Sequence, residues 1–173
     1  LGSFNFERMQ AMGFCYTLMP AIRKFYRDDK SAQAAALKRH LEFYNTHPWV
    51  SSVVFGVTAA MEEQKAKGEE ISEETITSVK VGLMGPLAGV GDPIFWGTAR
   101  PVLAALGASL ALNGSIVGPL LFFVGINLLR VLTRWYGLKF GYERGTEMVT
   151  EVGGGQLKKI TQMAAIMGLF VMG

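Results

Sequence analysis

Between Lys80 and Arg130 the chain runs 49 residues with two charged side chains, Asp92 and Arg100, both in or beside GPLAGVGDPIFWGTARP. Apolar runs of this length predict helices that enter a bilayer. An ionisable residue at that depth costs at least roughly 2.5 to 3.5 kcal/mol and persists where it faces protein or a wet cavity. Gly85, Gly89, Gly91 and Gly97, with Pro86, Pro93 and Pro101, interrupt the same stretch. Residues 82–112 are therefore expected to form a re-entrant hairpin, two half-helices meeting near Gly91, Asp92 and Pro93, with a positive φ at Gly91. Broken backbone at membrane depth is tolerated where it lines a cavity or is buried in protein.

Residues 101–129 carry no charge, and a span needs about 20 residues. A turn at Asn113–Gly114, a strong breaker pair, is expected to start a second span over about 115–134. Arg130, Arg134 and Lys139 follow, with Trp135 and Tyr136 among them, the pattern of an interface whose basic side is biased to the cytoplasm. Gly137, Gly141 and Gly145 recur every four residues and offer a small-residue face for close helix contact. Asn127 is a candidate for an interhelical hydrogen bond. After Gly153–Gly155 another apolar run, about 156–173, reads as a truncated final span.

Residues 1–48 have a different texture. The first helix combines Met9, Met12, Phe14, Leu18 and Ile22 with Arg23, Lys24 and Arg27, and suits either an anionic membrane surface or the core of a soluble domain. Ser31 is a plausible cap for a second helix through Asn45, ended by His47 and Pro48. The uncharged run that starts at Trp49 and ends at Met61 is too short to cross a bilayer, and it leads into Glu62 and Glu63. That carboxylate pair is either a solvated helix end or, for one member, an acceptor for a sugar hydroxyl. Ser72, followed by Glu73 and Glu74, caps the next helix.

The expected architecture is an all-α integral membrane protein: amphipathic surface helices over 1–48 and a membrane core over 49–173. With two histidines, one cysteine (Cys15) and no paired-ligand spacing, no nucleophilic or metal-dependent catalytic centre, disulfide framework or cofactor is expected. GPLAGVGD lacks the ending of a phosphate-binding loop. A net charge of +3 is too small and dispersed to indicate nucleic acid. The chain opens without methionine and stops inside an apolar run, so both ends are expected to be cut. Asp92 either caps a half-helix or contacts ligand; Trp96 is either an interfacial tryptophan or a face for a sugar ring. Arg100 is expected to pair with Asp92 or with a neighbouring subunit.

The segments FERMQAMGF, NTHPWVSSVVFGVTAAMEE, GLMGPLAGVGDPIFWGTARP and GGGQLKKITQMAAIMGLFVMG occur in that order. Together they closely resemble the IID membrane subunit of mannose-type sugar phosphotransferase systems, over essentially the whole chain. The resemblance implies a multi-pass protein of the bacterial cytoplasmic membrane that oligomerises with a IIC subunit, imports a hexose and presents it to a cytoplasmic IIAB phosphocarrier. It implies no phosphohistidine, hence no catalytic role for His40 or His47, and bacteriocins as incidental partners. The matched blocks hold the candidate substrate-binding residues Asp92, Trp96, Glu62, Glu63 and His47, beside the motif residues Gly85, Pro86, Gly89, Gly91, Pro93, Gly97, Arg100 and Pro101. The alternative is a scaffold that assembles IIC and docks IIAB without touching sugar.

Overall fold

A computed structural model describes residues 4–152 of the chain. Six α-helices follow one another: α1 Ala11–Phe25, α2 Lys30–Arg39, α3 Ser51–Ala66, α4 Glu73–Gly91, α5 Arg100–Leu112 and α6 Val117–Val152. A π-helical segment, Asp92–Ala99, joins α4 to α5. The final span expected over about 156–173 lies outside the described residues, as does the triple glycine.

The first half packs as a core. Phe14 of α1 stacks on Phe55 of α3 with ring centroids 4.4 Å apart, and Tyr44 closes on Phe14 at 4.3 Å. Ile22, Val54 and Ala36 complete this cluster, while Met61, Ile71, Ile76 and Val79 form a second one between α3 and α4. Cys15 is buried and its thiol meets the Leu37 carbonyl. Two caps differ in outcome. Ser72 accepts the Thr75 N–H as expected, but the cap of α2 is Asp29, which accepts from Ala32, and not Ser31. Asp29 is extended in backbone (φ −122°), the geometry a capping carboxylate needs. The helix also ends at Arg39, short of the expected Asn45, and leaves Tyr44, Thr46 and His47 on a connecting loop.

The second half is an antiparallel helical hairpin. Glu73–Leu112 is helical throughout, and with Val117–Gly145 it gives two helices long and apolar enough to cross a membrane. In their apolar windows only 11% and 6% of residues are buried, so this apolar surface is not the inside of the chain's own core. Forty residues extend about 60 Å, twice a hydrocarbon core, so the first helix both enters the apolar layer and packs against α1–α3. The hairpin closes at Asn113–Gly114 as expected: Gly114 takes φ +75°, and the Ser115 N–H reaches back to the Leu110 carbonyl. Gly107 and Gly118 face each other just below, where a Cβ on Gly107 would lie 2.9 Å from the Gly118 carbonyl oxygen.

The hairpin turn expected at Gly91–Asp92–Pro93 does not form. Gly91 and Asp92 are both right-handed helical (φ −70° and −64°), and the chain continues through Pro86, Pro93 and Pro101. Pro93 has no N–H to give the preceding turn. The ladder relaxes instead to the wider register: the Arg100 N–H donates to the Phe95 carbonyl, and the Thr98 hydroxyl donates to the Pro93 carbonyl at 3.0 Å. An apolar layer favours this solution, because a broken backbone would have to find partners that lipid does not offer. Asn127 likewise stays local, its amide donating to the Phe123 carbonyl of its own helix at 2.7 Å.

Candidate functional site

Of the sequence candidates, His47, Asp92 and Trp96 come together, where the π-helical segment meets the loop before α3. Gly91 permits the approach, since a Cβ there would lie 2.6 Å from His47 Cβ and Cγ. The glycine is therefore required for contact, not for positive φ. Gly91→Val is expected to push the His47 loop off the helix and lower the stability of the purified protein by about 1–3 kcal/mol, the usual range for overpacking. Thermal unfolding monitored by tryptophan fluorescence checks this, and an unchanged midpoint would mean that the loop yields at no cost.

His47 is 1% exposed and lies parallel to Phe95 at 5.2 Å, with Trp96 at 5.1 Å and Trp49 at 5.8 Å. Trp49 also packs on Phe95 and Trp96 at 4.8 and 5.5 Å, closing an aromatic box. Burial holds the His47 imidazole below its usual pKa, with Asp92 pulling the other way, so the ring is neutral at pH 7. Its Nδ1 accepts the Trp49 backbone N–H at 3.3 Å, which places the ring proton on Nε2. Nε2 is buried without a hydrogen-bond partner. The site thus holds an unspent donor; a buried donor without a partner costs about 1–3 kcal/mol and calls for an oxygen.

Asp92 is exposed beside this box and makes no side-chain capping bond. It also does not pair with Arg100. Eight helical residues separate them by roughly 10 Å along the axis, too far for an ion pair. Arg100 instead lies over the Trp96 ring, 5.2 Å from its centroid, while Trp96 keeps 39% of its surface open. A neutral donor, an exposed carboxylate and an indole at one locus can recognise a polyol with an apolar face.

Glu62 and Glu63 lie elsewhere. Glu62 is fully buried, and both its oxygens are engaged. Oε2 accepts the Tyr26 hydroxyl at 2.7 Å; Oε1 meets His40 Nε2 at 2.8 Å and Arg39 Nε at 3.2 Å. Arg39 Nη1 reaches Glu73 at 3.3 Å, and Lys80 Nζ donates to the Arg39 carbonyl. Burial opposes the charge on Glu62, but His40, Arg39 and Tyr26 outweigh it and hold the carboxyl below its ordinary range. Burial keeps His40 below the usual histidine range despite Glu62, so it donates as a neutral ring. Glu63 accepts from the Tyr142 hydroxyl and pairs with Lys67 at 2.9 Å, tying α3 to α6. Arg39, His40 and Tyr26 escaped the sequence reading because their meeting depends on side chains 22 to 36 positions from Glu62. Trp49 and Phe95 were visible only as apolar residues of their runs. Among the described residues no three His, Cys, Asp or Glu side chains gather as metal ligands would.

The long apolar hairpin, its surface unburied within the chain, and the polar groups seated at its π-helical segment define a helical membrane protein of the transport class. The chain belongs to the PTS system mannose/fructose/sorbose family IID component, which matches residues 1–173. It is 59% identical over 172 residues to the PTS system mannose-specific EIID component of Escherichia coli, covering 99% of this chain and 61% of that protein. The Fructose permease IID component of Bacillus subtilis is 59% identical over 173 residues, covering 100% of this chain and 62% of the relative. A cryo-EM structure of the mannose transporter ManYZ in complex with the microcin MceA superimposes with a TM-score of 0.94 at 58% identity, covering 99% of this chain and 63% of that one. The chain thus spans about three fifths of the length of the curated relatives it matches.

Proposed function

We propose that this chain is the sugar-contacting part of a IID permease subunit. With a IIC partner it translocates a hexose across the bacterial cytoplasmic membrane for phosphorylation by a cytoplasmic IIAB protein. The observation that carries this reading is the joint placement of His47, Asp92 and Trp96, with the buried Nε2 donor unspent. In this reading Nε2–H donates to one sugar hydroxyl, Asp92 accepts from another, and Trp96 packs on the ring's apolar face. Glu62 and Glu63 serve the fold instead. The exposed Met12 and Tyr16 of α1, with Arg23 and Lys24 in its last turn, suit an interfacial helix on an anionic leaflet. The ManYZ–microcin complex, similar over nearly all of this chain, supports a bacteriocin as a further partner of the same surface family.

The test is binding of labelled mannose and fructose to the permease assembled with its IIC partner. Asp92→Asn is expected to weaken binding about tenfold or more, the usual worth of a hydrogen bond to a charged group. Unchanged binding in an intact complex would move the sugar contacts to IIC and leave this chain as the scaffold that assembles IIC and docks IIAB.

A further inference from the structure

Arg130 and Arg134 stand one turn apart on α6, inside the apolar helix Val117–Gly145. Neither has a carboxylate within ion-pair distance among the described residues. Two guanidinium groups without counter-charge are costly at the edge of a bilayer and attract an anion. Arg134 also lines one end of an apolar cavity of about 220 Å³, with Thr17, Ser52, Phe55 and Leu138. That cavity shares Thr17, Phe55 and Leu138 with a second of about 570 Å³, walled by Ala21 of α1 and Trp135 of α6. The two form one groove between α1 and α6, floored by α3. Lys139 and Glu143 at its far end are paired with each other at 3.9 Å and leave Arg134 as its unmatched charge. Trp135 is 70% exposed there, at the aromatic and basic end of the apolar helix, which sets the groove at headgroup depth.

We infer that this groove is a binding site for an anionic glycerophospholipid of the surrounding bilayer. One acyl chain lies along Ala21, Phe55 and Leu138, and the phosphodiester is clasped by Arg134 with Arg130 behind it. The forked guanidinium matches phosphate oxygens in a way a lysine would not. The site is independent of sugar contact at His47, Asp92 and Trp96, and either can fail without the other.

The experiment uses the full-length protein in its permease complex, delipidated in mild detergent and supplied with phosphatidylglycerol or phosphatidylcholine, with bound lipid counted by native mass spectrometry. Phosphatidylglycerol is expected to be retained about tenfold more than phosphatidylcholine. Arg134→Gln should reduce that preference about fivefold, the effect of one basic group near an anionic surface. Arg134→Lys should keep part of it, which separates loss of charge from loss of fold. Ala21→Phe, filling the groove, should lower retention of both lipids. Equal retention of the two lipids by the wild type, or unchanged preference in Arg134→Gln, overturns the assignment. So does efficient photocrosslinking of the IIC chain to a probe at position 21, which would make the groove a subunit contact.

Discussion

The substitution Gly141→Leu is expected to separate α3 from α6 and to cost more than about 4 kcal/mol, enough to prevent recovery of folded permease. A Cβ on Gly141 would overlap the Val53 carbonyl oxygen and sit 2.8 Å from the Val53 carbonyl carbon and 2.9 Å from its Cα. All three are backbone atoms of a helix and cannot rotate aside. The neighbours reinforce the contact: Gly137 rests on the Ser52 hydroxyl, and a Cβ on Gly145 would lie 2.8 Å from Val57 Cα. On the other helix, Gly56 faces the backbone of Leu138, Gly141 and Tyr142. Both helices are thus stripped of side chain where they cross, so dispersion between backbones replaces ordinary side-chain packing. Gly85 is the control. Nothing lies within 4 Å of its Cβ position, so Gly85→Ala is expected to be neutral or to stabilise by up to about 1 kcal/mol. The measurement is the yield of monodisperse protein and its thermal midpoint in detergent. Recovery of Gly141→Leu at wild-type yield and midpoint would mean that the two helices can part without loss of the fold.

This glycine face, the Asn113–Gly114 turn and the Ser72 cap were legible in the sequence because each depends on local chemistry. A four-residue period, a positive φ or a hydroxyl before acidic residues carries its own instruction. The fate of Pro86, Pro93 and Pro101 was not legible in the same way. Their spacing suggests breakage, but an apolar environment makes an unbroken ladder cheaper than free carbonyls, and a wider register absorbs the missing donors. The candidate site divides along the same line. Asp92 and Trp96 share a run whose charge and glycine content mark it, and His47 lies in a matched block. Their proximity, however, depends on a loop 45 residues earlier reaching Gly91. Glu62 misled for the converse reason. A carboxylate at a helix end looks solvated until a buried arginine, histidine and tyrosine converge on it from other elements.

That convergence makes Glu62→Gln the second severe substitution, with an expected loss of about 3–5 kcal/mol, the cost of leaving a buried charge without its partner. Arg39 would keep only the half-exposed Glu73 at 3.3 Å, with Lys80 adding a second buried cation nearby. Arg39→Met in the same protein removes the stranded charge, so the double variant should regain at least half of the loss in chemical denaturation. The pH profile follows from the same network. His40 takes up its proton less readily in the folded chain than at its ordinary value of 6.5, so the unfolded chain binds more protons as pH falls below 6.5, and stability declines. Glu62 has its pKa depressed below 4.5, so its contribution is complete above that value and is lost as pH falls through the folded one. Wild-type stability should therefore fall in acid over both ranges. Glu62→Gln should abolish the lower component, because an amide does not titrate; a variant that still lost stability below pH 4.5 as steeply as the wild type would assign that step to other carboxylates.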